Sequence, residues 1–231
     1  MRRFRGVLRT LVLPCLLLGL TAGCSRDPRP AQGEAPATPA TPTAPSQGPS
    51  PPANDLRPPE AFADIADRGE RSRALFLEAS RVFLHPRCIN CHPNGDVPHQ
   101  GDQLRLHDPP VVRGPEDHGV VGMECQGCHQ ERNLELARVP GAPKWHVAPI
   151  EMAWVGKSPR ALCEQLKDPA RNGGKSMQEL IEHNAHDKLV AWGWNPGHGR
   201  EPAPGTQERF GAIFAAWVET GAECPAEEAK P

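Results

Sequence analysis

The chain has 231 residues, with 26 Lys and Arg against 28 Asp and Glu and a formal net charge of −2. It offers no basic footprint of the kind that neutralises phosphates, which excludes nucleic acid as a partner class, and its length suits one domain or at most two. Hydrophobic residues make up 38% and aromatics 5%, while 28 residues are Pro and 22 are Gly, so a core made only of side chains would be thin and something else is expected to fill part of the interior.

Residues 1–23 place Arg2, Arg3, Arg5 and Arg9 ahead of an apolar run from Thr10 to Leu20, followed by Thr21, Ala22 and Gly23. A basic start, about a dozen apolar residues and a small-residue processing site read as an export signal that is removed. The run is too short to span a bilayer comfortably. Leu20-Thr21-Ala22-Gly23-Cys24 resembles a bacterial lipoprotein cleavage box, with Cys24 as the lipidated first residue of the mature chain; a plain secretory signal cut nearby is the alternative. Residues 24–59 contain 11 Pro among Ala, Thr, Ser and Gly and read as a flexible tether that reaches up to about 100 Å at roughly 3 Å per residue. The expected location is the periplasm, tethered to the outer membrane through the lipid alone. The folded domain is expected at 60–225, with 226–231 as a tail.

The domain opens on Pro59 and Glu60, and Leu75, Ala79, Val82 and Phe83 then recur at helical spacing up to His85-Pro86. This helix delivers the chain to Cys88-Ile89-Asn90-Cys91-His92, and a second string of the same form follows at Cys125-Gln126-Gly127-Cys128-His129. Cys-x-x-Cys-His is the attachment pattern of haem c. Two thiols three positions apart reach the two vinyl groups on one porphyrin edge, and the adjoining imidazole turns under the iron as the proximal ligand. Two zinc-binding Cys-x-x-Cys pairs or two disulfides are the competing readings. Zinc ribbons are mostly intracellular and do not require His after both second cysteines, and no thioredoxin-like strand pattern accompanies the pairs. The expectation is two covalently bound haems c, with His92 and His129 on the irons.

Only 32 residues separate His92 from Cys125, too few for two single-haem domains laid end to end. One mainly α domain, cytochrome c-like, with helices and long loops wrapped around both haems, is expected. The loops at 93–124, 138–149 and 193–205 are long for a compact domain, and porphyrin faces would give them something to pack on. Ser158-Pro159 opens a short helix to Lys167. Ser176 with Glu179 forms a capping box that opens a helix to about Trp192, with Gly193 as its stop. Thr206 starts a last helix with Phe210, Ile213, Phe214 and Trp217 on one stripe and Gly221 after it. Of the cysteines outside the motifs, Cys15 lies in the signal and Cys24 is the lipid site. Cys163 and Cys224 are left as a disulfide or, if apart, as small buried apolar residues.

The second axial position of each iron sets potential and function. Met152 lies in the Pro-bearing apolar loop 147–154, 60 residues beyond His92 and 23 beyond His129, which favours the first haem. His107 lies between the motifs, His146 just before the loop, and His183 on the helix opened by Ser176. These four are the candidate distal ligands, and each has an ordinary hydrogen-bonded role as its alternative.

The chain resembles a family of exported di-haem c-type cytochromes whose members are labelled "isoquinoline 1-oxidoreductase subunit". The residues that carry the resemblance are H-P-R-C-I-N-C-H-P at 85–93, Gln100-Gly101-Asp102, Arg113-Gly114, W-H-V-A-P-I-E-M-A-W at 145–154, Q-L-K-D-P-A-R-N-G-G at 165–174 and W-G-W-N-P-G at 192–197. The resemblance covers about residues 80–225, and His107, His146, Met152 and His183 fall at matching positions. It implies an electron-accepting partner of a molybdenum hydroxylase-type enzyme; the chain itself has no place for molybdopterin or an iron–sulfur cluster. The functional expectation is a carrier of single electrons between redox proteins, a dehydrogenase or another cytochrome, and not an enzyme. A dedicated subunit docked on a periplasmic oxidoreductase is the alternative. A di-haem peroxidase is disfavoured because such enzymes space their motifs over two domains, and a haem sensor because no signalling segment is evident.

Overall fold

Among the described residues every α-helix except the one at Cys125–Cys128 begins where a side chain caps the first free N–H groups. In the computed structural model, which describes residues 54–227, Asp67 accepts from Glu70 N at 2.7 Å and opens α1 (Arg68–Phe83). Residues 1–23, Cys24, the tether as far as residue 53 and residues 228–231 lie outside the described residues. After α1 come α2 (Pro86–Ile89), two hairpins of two-residue strands, β1–β2 (His99–Gln100 with Arg105–Leu106) and β3–β4 (Gly119–Val120 with Met123–Glu124), and then α3 (Cys125–Cys128). The C-terminal half holds α4 (Pro159–Leu166), α5 (Met177–His186), α6 (Lys188–Ala191) and α7 (Gln207–Glu219). The fold is mainly helical. No helix among the described residues is long and apolar enough to cross a membrane.

Three helix boundaries differ from the sequence expectation. Pro59–Phe62 is a separate 3-10 turn, and the long helix starts only at Arg68 because Asp67 supplies the cap. The capping box of Ser176 and Glu179 forms as expected, but its helix ends at His186. Asp187, in extended backbone, accepts from Leu189 N at 2.7 Å and Val190 N at 3.2 Å and so starts α6 afresh. Gly193 lies inside a following 3-10 turn, Trp192–Trp194, and is not a stop.

The core sits where α7 packs on α1 and α5. Phe62, Phe76, Phe83, Phe210, Phe214 and Trp217 are all fully buried there. Their rings meet edge to face or tilted, with centroids 4.8 Å apart for Phe76–Trp217 and 4.9 Å for Phe83–Phe210. This corrects the expectation of a thin interior: the few aromatics are concentrated into one cluster, and the helical part fills itself. The reverse holds between residues 99 and 140, where only Arg113 and Gly119 are buried.

The domain also starts earlier than residue 60. Leu56 is fully buried in the core. Arg57 gives its backbone N–H and its Nε–H to the buried carboxylate of Glu78, both at 3.0 Å, and Asp55 pairs with Arg209 at 2.8 Å. Pro residues upstream set the composition, but this short apolar and charged stretch belongs to the fold. At the other end Cys163 on α4 is bonded to Cys224, fastening the chain after α7 to α4, and Arg160 pairs with Glu227 at 3.6 Å.

Gly211 sets the approach of α5 to α7, since a Cβ there would lie 2.6 Å from the Ala185 Cβ. Gly211→Ala is therefore expected to destabilise the domain by about 1–3 kcal/mol through overpacking, although Ala is the better helix former by roughly 1 kcal/mol. A denaturant midpoint that rises in this variant would refute the close-contact account.

Candidate functional site

Both Cys-x-x-Cys segments coil as single helical turns, α2 running into Cys91 and α3 spanning Cys125 to Cys128. One turn brings residues three apart onto one side of the backbone, so each pair of thiols shares a face. Pro86 at the first helical position and the His85 ring, whose Nδ1 accepts from Arg87 N at 3.2 Å, fix the start of the first turn. All four motif cysteines are unbonded. Burial pushes the Cys88 thiol up to about 12 and the Cys91 thiol up to about 11.

The two motif histidines are held in the same way. His92 Nδ1 lies 2.8 Å from the backbone oxygen of Met152, and His129 Nδ1 lies 2.7 Å from that of Pro140. A carbonyl oxygen only accepts, so each Nδ1 carries the proton and each Nε2 keeps a bare lone pair, the form of imidazole that ligates a metal. Burial holds both rings neutral, lowering His92 to about 3 and lowering His129 as well.

A tryptophan lies flat on each ring. Trp154 stacks on His92 with centroids 3.3 Å apart and planes at 4°, and Trp145 stacks on His129 at 4.5 Å and 8°. These residues are the two ends of the decapeptide Trp145–Trp154, so one loop serves both histidines. The loop is fastened to the first turn by Ala148 N to Cys91 O and Trp154 N to His92 O, each 2.9 Å. Sequence reasoning missed both tryptophans as positioning groups; their placement at either end of the loop was the available signal.

The four candidate distal ligands separate. Met152 is buried, but its carbonyl is the acceptor for His92 Nδ1, which places this residue on the side of the ring away from Nε2. His183, on α5, has Nδ1 3.6 Å from Asp187 Oδ2, and this contact holds the Asp187 carboxyl down to about 2. His146 has Nδ1 2.6 Å from Lys144 O and its ring 5.2 Å from that of His118. His107 lies instead against His129, ring centroids 5.8 Å apart.

Two buried arginines flank the motifs. Arg87 pairs with Asp102 and lies over the Trp192 ring at 5.8 Å. Arg113 bonds Asp117 at 2.8 Å, Gly95 O at 3.1 Å and the oxygen of Ala148. The Nε–H of each, and the indole N–H of Trp154, are buried without a protein partner. Between residues 106 and 136 six large apolar side chains stand in the open: Leu106, Val112, Val121, Met123, Leu134 and Leu136. Among the described residues no three His, Cys, Asp or Glu side chains converge on a common point. The chain matches no protein-family model, no curated protein and no solved structure.

Proposed function

We propose that the chain is a di-haem c-type cytochrome of the periplasm that passes single electrons between redox proteins. The observation that carries this reading is the repeated arrangement of two unbonded thiols one helical turn apart, followed by an imidazole whose Nδ1–H is committed to a backbone carbonyl and whose Nε2 is bare. The residues fit haem. Porphyrin supplies four of the iron ligands itself, so the protein needs one nitrogen per face and no converging cluster, whereas a zinc ribbon needs four side chains at one point. The thiols of Cys88, Cys91 and Cys125, held protonated by burial, suit thioether formation better than zinc thiolate. The exposed apolar side chains between 106 and 136 supply a surface that a porphyrin face would cover.

Cys88 and Cys91 with His92 would hold one group, and Cys125 and Cys128 with His129 the other. Bound there, the iron of each haem supplies a one-electron couple. The chain's own contribution is orientation: Met152 O and Pro140 O fix the tautomers and raise the basicity of the ligating nitrogens, while Trp154 and Trp145 hold the rings against rotation. Burial keeps water and protons from His92. α2 buries Arg87 and Ile89 against the core, whereas α3 buries nothing and leaves Cys128 exposed. The second site is therefore where a partner exchanges electrons, taking them from a reduced dehydrogenase or delivering them to another cytochrome, and the first is the sheltered one.

The test is a pyridine haemochrome count with low-temperature EPR on the exported, mature chain. Two haems per chain with both irons low-spin is the expected result. A mature chain with no Soret band and the mass of its polypeptide and lipid alone would sink the reading, and a high-spin, peroxide-reactive iron would replace transfer with catalysis.

A further inference from the structure

The β1–β2 hairpin pairs His99 with Leu106, and His107 N then donates to Pro98 O at 3.0 Å. This carries the His107 ring to within 5.8 Å of His129, with the planes at 72°. Two imidazoles that face each other across one metal, each Nε2 about 2 Å from it, hold their ring centres about 6 Å apart. Their planes are free to turn about the shared axis, so the angle is compatible with this arrangement. His107 Nδ1 lies 2.8 Å from Pro109 O, which fixes its proton there and leaves Nε2 bare, as in His129. Among the described residues neither Nε2 has a hydrogen-bond partner.

We infer that His107 is the second axial ligand of the iron attached at Cys125 and Cys128, opposite His129. The inference rests on the haem reading of that turn. Met152 gives its backbone carbonyl to His92 Nδ1, and among the described residues His107 is the one of the four candidates whose ring lies against His129. Bis-imidazole ligation makes this the lower-potential type of c haem, since Met in place of His raises the potential.

The experiment uses the exported chain with His107→Ala and, separately, His107→Met. The haemochrome count is expected to stay at two in both, because the thioether cysteines are untouched. In His107→Ala half of the iron turns high-spin by EPR, and added imidazole returns it to low-spin. In His107→Met, which keeps a ligand and so keeps the segment folded, one of the two redox couples moves to higher potential while the other stays. His118→Ala, a neighbouring histidine, leaves both irons low-spin. Two haems that remain low-spin in His107→Ala, or two unchanged couples in His107→Met, would overturn the assignment while leaving the haem reading intact. A wild-type chain without haem would overturn both.

Discussion

A chain carrying Cys125→Ala and Cys128→Ala is expected to mature with one haem instead of two and to keep its helical core. The core of α1, α5 and α7 is complete in side chains, with Phe76, Phe83, Phe210, Phe214 and Trp217 all buried, whereas Cys125 packs on the separate small cluster of Ala142, Trp145 and Trp192. Far-UV circular dichroism should change little. The segment from 99 to 140 should behave differently, because it buries only Arg113 and Gly119 and, on the proposed reading, would rest on the haem for its apolar support. Proteolytic cleavage within it should rise about tenfold or more, since each 1.4 kcal/mol of lost local stability gives a factor of ten where opening is fast. Mass spectrometry reads the haem count, and limited proteolysis followed by peptide mapping reads the segment. A double variant that still carries two haems would show that these cysteines are not an attachment site. One that loses its helices would show that the core is not self-sufficient.

Replacing Trp217 by Ala is expected to cost about 3–5 kcal/mol, the range for deleting a large aromatic from a packed interior. Trp217 is fully buried, lies 4.8 Å from Phe76 and 5.0 Å from Phe214 by ring centroid, and donates its indole N–H to Glu223 O at 3.0 Å. Its own carbonyl accepts from Ser72 Oγ at 3.2 Å and from Ala222 N at 2.9 Å, so it joins α7 to α1 and to the segment that leads to Cys224. Against a total stability of about 5–15 kcal/mol, such a loss leaves a domain that is marginal at 37 °C. Trp217→Phe keeps most of the ring volume and should cost less than half as much. The measurement is the denaturant midpoint of both variants with the slope held constant; equal midpoints for Trp217→Ala and the parent would mean that the α1–α7 contact is not what holds the domain together.

The apolar stripe of α7, the caps at Ser158, Ser176 and Thr206 and the pairing of Cys163 with Cys224 were all legible, because each depends on residues whose types declare their role. The break at Asp187 was not. An Asp inside a helical pattern is unremarkable until its carboxylate is seen to accept two N–H groups. The early start of the domain at Leu56 was hidden by the prolines around it. The contact of Met152 with His92 was hidden for a related reason: a Met in a Pro-bearing loop draws attention to its thioether, but what this loop delivers to His92 Nδ1 is its backbone carbonyl.

By itself the sequence determined the residue pattern of the two pentapeptides on which the haem proposal rests, since thiol spacing and the adjoining His are local properties carried within five residues. It also determined the mainly helical class, because capping and periodicity act over a turn or two. Only the tertiary structure decided which groups stand around each imidazole. The Trp145–Trp154 loop reaching both histidines, the carbonyls of Met152 and Pro140 on their Nδ1 atoms and the approach of His107 to His129 are contacts between residues 11 to 62 positions apart. Such contacts are set by how the helices pack and how the loops close over them, and no local pattern in the chain encodes them.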